Sequence, residues 1–404
     1  MFQAVKNIYH NFQAVIANIW YGHPGEKLKV IGITGTDGKT TTSLLIYYVL
    51  KNTGHKVSLI SSVYARIGGK TFDTGFHVTT PSVFWVQKYL KMAADCGDEY
   101  FVLETTSHAL DQFRVSGIQF EIGVVTNITH EHLQYHKNYL NYVKAKVRLL
   151  NNSTYAIVNA DDMSYPFIRK LYQGDLITYS LNNSADFQID LSSKLNQPLP
   201  RFNQYNYLAA YVVCQKLGLN DQLIIAAMRG FQLPPGRLEK VYDQDFMIII
   251  DFAHTPNAIY EVLKSLAKTY PKRTIIHVFG AASQRDDSKR PLMGEASGEF
   301  ADRVILTEED YRKEDPQKIA REIAAGLEKK GFQLAKSGHF TQGKEYVIEI
   351  DRQRAVNRAI DSVGAGDIVI LTGKGHEKSL CRGTKEHPWD EKQAVLESLA
   401  SLKK

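Results

Sequence analysis

Apolar residues along the chain come in two rhythms. Short continuous apolar runs occupy Lys29 to Ile33, Val57 to Ile60, Tyr100 to Leu103, Ile122 to Val125 and Tyr155 to Val158, and stretches with helical spacing separate them. Continuous runs alternating with helices predict a parallel sheet covered on both faces. A second alternating region starts near Val241, with strands expected at Met247 to Ile250, Thr274 to Phe279, Arg303 to Leu306 and Asp367 to Leu371. Between the regions, Ser180 to Pro200 is polar and weakly periodic, which predicts a loop or an edge hairpin. Ahead of both, Val5, Ile8, Phe12, Val15 and Ile19 recur every three or four residues, the spacing of an amphipathic helix expected to pack on its own protein, with a membrane-surface or partner-binding helix as the alternative.

The first strand runs into Thr34-Gly35-Thr36-Asp37-Gly38-Lys39-Thr40-Thr41, followed by the helix-like Leu44 to Leu50. Strand, glycine turn and helix in that order aim backbone N–H groups and the positive helix end at a phosphate. Gly35 and Gly38 admit the anion, Lys39 reaches terminal phosphates and the Thr40 hydroxyl suits a magnesium ion. The spacing is the short Gly-Thr-x-Gly-Lys-Thr form, since Ile33 stands where the general phosphate loop has its first glycine. Nucleoside triphosphate binding is the expectation.

In an open parallel sheet, ligands sit beyond the carboxyl ends of the strands. Glu104 follows Tyr100 to Leu103 there, a carboxylate whose burial demands a cation, and magnesium shared with Thr40 and nucleotide phosphates would supply it. Thr126-Asn127 ends the next strand, and His130, His132 and His136 follow. Their spacing alone supports no zinc site, because no cysteine or further spaced ligand accompanies them.

Composition narrows the setting. The 404 residues are 44% hydrophobic and 23% charged, an ordinary globular balance long enough for two or three domains. The charge of +6 is mild and lies in no basic tract, so small anionic substrates are expected rather than nucleic acid. Cys96, Cys214 and Cys381 are far apart, as in a reducing compartment, and neither a secretion signal nor a membrane-length apolar run is present. A cytoplasmic protein without an integral membrane segment is expected. No feature of the chain sets an oligomeric state.

From about Lys29 to Glu391 the motifs together resemble the ATP-dependent Mur ligases, and most the type that adds the third amino acid to a UDP-N-acetylmuramoyl dipeptide. The resemblance implies that Gly35, Thr36, Gly38, Lys39, Thr40 and Thr41 bind ATP. It implies that Glu104 of Glu-Thr-Thr-Ser-His and His132 hold two magnesium ions with Thr40, and that Lys146 is carbamylated to serve the metal site. Thr79, Thr80, Thr106, Gln112 and Arg114 fall at the acceptor contacts. Asn206 of Phe-Asn-Gln-Tyr-Asn is implied near adenine, Arg237 of Pro-Gly-Arg-Leu-Glu at the nucleotide phosphates and Asp251 toward the ribose. Arg285, Asp310, Arg312, Gly373 and Glu377 would read the incoming amino acid.

The implied architecture is α/β: a central phosphate-loop ATPase-like domain with a parallel sheet at 29–236 and a Rossmann-like C-terminal domain at 237–404, after an N-terminal amphipathic helical segment at 1–28. The C-terminal domain is expected to close over ATP and carry the amino acid. Lys39, Arg237, Glu104, His132 and Lys146 would drive formation of an acyl phosphate, which an amine then converts to an amide. The chain departs from the family pattern in several places. Only 34 residues precede Gly35, where the family has a separate domain for the uridine nucleotide, so that domain is expected to be lacking. Thr105-Thr106 replaces x-Ser, Glu131 an aspartate and Ala282-Ser283 a glycine pair. Glu309-Asp310-Tyr311-Arg312 stands where diaminopimelate enzymes have Asp-Asn-Pro-Arg, so its arginine favours diaminopimelate with lysine close behind. A folylpolyglutamate- or cyanophycin-type ligase acting on another carboxylate is the rival reading.

Overall fold

The computed structural model describes residues 2–72, 79–283, 286–336, 338–341 and 343–402, with backbone only over 2–8. It divides into two compact units, Met1–Thr129 with His136–Gln232, and His130–Tyr135 with Leu233–Lys404.

The first unit is built on an eight-stranded sheet: β1 (Lys29–Thr34), β2 (Val57–Ile60), β3 (Ala65–Ile67), β4 (Lys70–Phe72), β5 (Tyr100–Glu104), β6 (Phe120–Val125), β7 (Ser153–Asn159) and β8 (Leu176–Tyr179), in the order β4-β3-β2-β5-β1-β6-β7-β8. β1 lies between β5 and β6 and pairs with both in parallel, while β3 and β4 extend one edge in antiparallel fashion. Each central strand is buried on both faces, which is why its sequence is continuously rather than alternately apolar. The register sets Ile33 beside Glu104 and Thr34 beside Val125, so the carboxyl ends of three strands open at one place. One side of the core joins Val30, Phe101, Leu103 and Phe120 of the sheet to Val86, Leu90 and Leu149 of helices Val83–Asp95 and Tyr139–Asn151.

Two expectations need correction here. The N-terminal residues do form a helix, Phe2–Trp20, yet the described part of its expected packing stripe faces outward: Phe12 is 63% exposed and Ile19 62%. The helix is anchored instead by Ala14 and Ala17 against Val83, because small side chains let helix Val83–Asp95 approach closely and the bulky ones do not. Ser180 to Pro200 is more than a loop. It holds a helix, Leu191–Leu195, capped by Asp190, whose carboxylate accepts the Ser193 amide at 3.2 Å, and pinned by buried Leu191 and Leu195.

The second unit carries a seven-stranded sheet: β9 (Glu239–Asp243), β10 (Met247–Ile250), β11 (Ile275–Phe279), β12 (Arg303–Leu306), β13 (Gln333–Leu334), β14 (Glu345–Ile348) and β15 (Ile368–Leu371). The order is β13-β14-β12-β11-β15-β10-β9, parallel except for β9. Its core gathers Ile248, Val278, Ile305 and Val369 with Val356 and Ile360 of helix Arg352–Asp361. A hairpin, β16 (Ser379–Arg382) and β17 (Lys385–Pro388), follows the last sheet strand. No helix among the described residues is long and apolar enough to cross a membrane.

Candidate active site

Gly38 ends the loop after β1 and caps helix Lys39–Asn52 without any side-chain hydrogen bond, so the first-turn N–H groups remain directed at the loop. Its φ of +80° is left-handed, and a Cβ there would stand 2.1 Å from Asn206 Oδ1. Only glycine satisfies both conditions. A Cβ at Gly35 would likewise meet Thr126 Oγ1 at 1.8 Å. The end of β6 clamps the loop from the other side. Asn127 Oδ1 accepts the Asp37 amide at 2.8 Å, the Thr126 hydroxyl donates to Asp37 O at 2.7 Å, and the Thr36 amide donates to Asn127 O at 2.8 Å. Lys39 Nζ donates to Thr36 O at 2.7 Å and thus lies over the turn it would serve.

Thr40 and Thr41 are buried in the first turn of the helix. The Thr40 hydroxyl donates to Glu104 Oε1 at 3.1 Å, and Glu104 Oε2 accepts the Ser62 amide at 2.9 Å. Glu104 is 1% exposed, and these neutral donors do not cancel its charge. That donor set fits magnesium, which takes few protein oxygens and completes its octahedron with water and phosphate. Among the described residues no three His, Cys, Asp or Glu side chains form a ready-made metal cage. Lys146, fully buried, donates to Gly35 O at 2.6 Å and lies 4.5 Å above the Tyr142 ring. His132, in left-handed backbone conformation, belongs to the second unit, where its Nε2 stands 3.6 Å from Glu131 Oε2. Burial works to protonate Glu131, but His132, His254 and Lys289 hold its carboxyl well below the usual range.

The acceptor candidates share one hydrogen-bonded cluster. The Thr80 hydroxyl donates to Glu104 O at 3.0 Å and accepts the Thr106 amide at 3.1 Å. Arg114 donates from Nη1 to Thr80 O at 2.9 Å and from Nε to Gln112 Oε1 at 3.0 Å. Thr106 also caps the short helix Ser107–Asp111. Thr79 is half-buried next to Thr80, while the residues before it, 73–78, lie outside those described. Asn206, in helix Arg201–Lys216, bonds to Asn203 Oδ1 at 3.0 Å and abuts the phosphate loop at Gly38.

In the second unit Asp251 spends both carboxylate oxygens on backbone amides, Leu238 at 2.7 Å and Ala253 at 2.8 Å. Burial raises its pKa against the pull of Arg237. Arg237 lies 4.5 Å over the Phe252 ring. Of the amino-acid candidates, Asp310 and Glu377 meet at Lys374, which follows Gly373 in the chain. Its Nζ donates to Asp310 Oδ1 at 3.0 Å and Glu377 Oε2 at 2.5 Å. Although burial works to discharge Lys374, Glu377, Asp310 and Glu309 hold the ammonium above its usual range. Arg312, at φ +49°, joins the hairpin through its amide to Cys381 O at 3.1 Å. Arg285 lies outside the described residues.

Several residues of these sites escape sequence reasoning. Ser62 follows β2 as Glu104 ends β5, so the same strand-end rule points to it. His136 Nε2 sits 3.0 Å from Ser107 Oγ, and burial pushes its imidazole down to about 4. Glu309 Oε2 is buried without a hydrogen bond among the described residues, and burial raises its carboxyl. Arg352 and Glu391, both fully buried, pair at 2.6 Å. Arg352 also donates to Glu308 O at 3.0 Å and Thr372 O at 2.9 Å, holding the bases of the two loops that carry Asp310 and Glu377.

A phosphate loop with a magnesium-ready carboxylate on one α/β unit, joined to a second parallel-sheet unit, defines a nucleotide-dependent ligase. Residues 33–214 match the Mur ligase middle domain, and residues 236–375 match the Mur ligase, glutamate ligase domain. The chain belongs to the Mur ligase family, ATP- and magnesium-dependent enzymes that join an acid to an amino acid. It is 37% identical over 405 residues to the UDP-N-acetylmuramoyl-L-alanyl-D-glutamate–2,6-diaminopimelate ligase of Aquifex aeolicus, covering 95% of this chain and 80% of that one. A solved structure of an enzyme of the same name superposes with a TM-score of 0.57 at 29% identity, over 93% of this chain and 79% of that chain. The bifunctional folylpolyglutamate synthase/dihydrofolate synthase of Yersinia pestis, complexed with AMPPNP and a manganese ion, shares the fold. Its TM-score is 0.68 at 17% identity, over 98% of this chain and 93% of that one.

Proposed function

We propose that this ligase adds the third amino acid, meso-diaminopimelate or L-lysine, to a UDP-N-acetylmuramoyl-L-alanyl-D-glutamate-like acceptor in peptidoglycan precursor synthesis. One observation carries the reading: the Thr80 hydroxyl bonds Glu104 O at 3.0 Å, which ties the acceptor cluster to the carboxylate facing the phosphate loop. This tie supports a reading in which the acceptor carboxylate lies beside the terminal phosphate of ATP.

In this reading Gly35, Thr36, Gly38 and Thr41 cradle the phosphates, and Lys39 and Arg237 offset the charge that builds up on the γ-phosphoryl group. Asp251 serves the ribose and Asn206 the adenine. The acceptor carboxylate, oriented by Thr79, Thr80, Thr106, Gln112 and Arg114, attacks phosphorus and releases ADP. The amine of the incoming amino acid then attacks the acyl phosphate, inorganic phosphate leaves and the amide forms. Two magnesium ions at Thr40, Glu104, His132 and Lys146 would supply further charge stabilisation. Carbamylation of Lys146 turns a cation into a carboxylate ligand, and the modified nitrogen keeps one N–H for Gly35 O. Arg285, Asp310, Arg312, Gly373 and Glu377 read the amino acid, and Arg312 favours the second carboxylate of diaminopimelate. The division of labour follows three segments, 1–28, 29–236 and 237–404.

The test is phosphate release from ATP with the UDP-linked dipeptide and diaminopimelate, lysine or no amino acid. Release requiring both the acceptor and one amino acid is expected. ATP binding without release in every arm overturns the acceptor assignment and favours another carboxylate. In the same assay Lys146→Ala should be inactive and regain part of its turnover with a short carboxylic acid; wild-type activity without the acid removes Lys146 from the mechanism.

A further inference from the structure

Helix Phe2–Trp20 is fastened to its unit by the small side chains of Ala14 and Ala17. Among the side chains described, Phe12, Ile19 and Trp20 are 63%, 62% and 78% exposed, and Tyr9, Val15 and Ile16 are exposed beside them. Phe84 and Trp85, on the helix that anchors this one, are also exposed. Monomeric proteins rarely leave a contiguous apolar surface of this kind open to water.

The spacing of the surface says what shape covers it. Val5, Ile8, Phe12, Val15 and Ile19 are separated by three, four, three and four residues, a period of about 3.5, which is the a and d seam of a left-handed coiled coil. With Phe12 at position a, Ala14 and Ala17 fall at c and f, on the far side, where they meet Val83. Phe12, Val15 and Ile19, the seam residues whose side chains are described, are all exposed and open to another helix.

The charges say whose helix it is. Positions e and g, which select unlike partners through opposite charges, hold Tyr9 and Ile16 at e and Asn11 and Asn18 at g, all uncharged. The helix carries Lys6 as its one Lys or Arg and no acidic residue, so identical copies meet without like-charge repulsion across the seam. A lipid-facing helix would instead carry a lysine- and arginine-rich polar face, whereas Lys6 is the one Lys or Arg in this sequence segment.

We propose that this helix is a self-association surface, pairing through its a and d seam with the same helix of a second copy of this chain. A helix of 19 residues is about 28 Å long, and one seam of that length falls short of the roughly 800 Å² per partner of a standard interface. The dimer is consequently reversible and dependent on concentration.

Sedimentation of the full chain tests this. Between about 1 µM and about 100 µM the average mass should climb from 45.6 kDa toward twice that value. The double variant Phe12→Asp/Ile19→Asp, at exposed positions, should keep its circular dichroism spectrum and raise the dimer dissociation constant at least about tenfold. Should that pair disturb the helix, Ile16→Lys puts a charge at the seam's edge in both copies and is expected to weaken the dimer in the same way. A wild-type chain that stays monomeric at the highest concentration overturns the proposal, as does a dimer that survives both variants. Monomer that co-sediments with phosphatidylglycerol vesicles, and loses this with Phe12→Asp/Ile19→Asp, overturns it in favour of a lipid surface.

Discussion

His136 is buried in the first unit, its Nε2 against Ser107 Oγ and its ring 5.1 Å from that of Tyr142. Burial holds its pKa near 4, with Lys146 and Arg148 pushing in the same direction and Asp111 opposing. The unfolded value is about 6.5, so between these two values the folded chain binds fewer protons than the unfolded chain. Stability from this group is whole above about pH 6.5, is lost as the pH falls toward 4, and declines no further below that. His136→Gln should flatten the fall of the urea midpoint across this window; identical slopes for both proteins would remove His136 from the account. His277, pushed down to about 3 by burial, acts in an overlapping window, and the comparison with the single variant separates the two. In the sequence, His136 is one histidine in a run of three, and spacing cannot distinguish a desolvated ring from a ligand. Glu104 and Thr40 are legible because a strand end and a glycine turn give them an address. Glu309 is not, because the feature that singles it out, a buried oxygen without a donor, exists only once the chain is folded.

At the scale of elements, the Arg352–Glu391 pair joins helix Arg352–Asp361 to helix Glu391–Leu402. Trp389 Nε1 adds a hydrogen bond to Glu391 Oε2 at 2.6 Å, so both charges are paired out of water. Removing one partner leaves the other charge buried, which costs about 3–5 kcal/mol, whereas replacing both by apolar groups is often nearly neutral. Glu391→Leu is therefore expected to destabilise strongly, and Arg352→Met/Glu391→Leu to recover much of that loss in urea unfolding. The double variant should still raise the KM for the amino acid, because the Glu308 and Thr372 carbonyls lose their shared donor. A double variant no more stable than Glu391→Leu would contradict the first expectation, and an unchanged KM the second. Strands were legible wherever both faces are buried, since β2, β10 and β12 coincide with their apolar runs. The N-terminal helix was legible as a helix but not in its orientation. Periodicity reports that an apolar stripe exists, not that Ala14 and Ala17 on the other side make the anchoring contact. Leu191–Leu195 was invisible for another reason: it is too short to display a period and depends on the Asp190 cap.

The whole chain passes between its two units three times, after Thr129, Tyr135 and Gln232, and each unit closes its own sheet and its own core. The alternation of strands and helices announced two α/β regions, but not that six residues from the middle of the first region cluster with the second. That transfer depends on contacts such as Lys289 Nζ to Glu131 Oε1, 3.6 Å apart and distant in sequence, and no local pattern encodes them. Two cores imply that a single two-state unfolding free energy does not describe this protein. Calorimetry should resolve two transitions, and core variants assign them. Leu90→Ala, in helix Val83–Asp95, and Ile360→Ala, in helix Arg352–Asp361, each empty a fully buried position. Each deletion costs about 2–5 kcal/mol, so each should lower one transition by on the order of 10 °C. The two variants are expected to move different transitions. If either moves both equally, or one cooperative transition appears in the wild type and in both variants, the units unfold as one body and the two-core account fails.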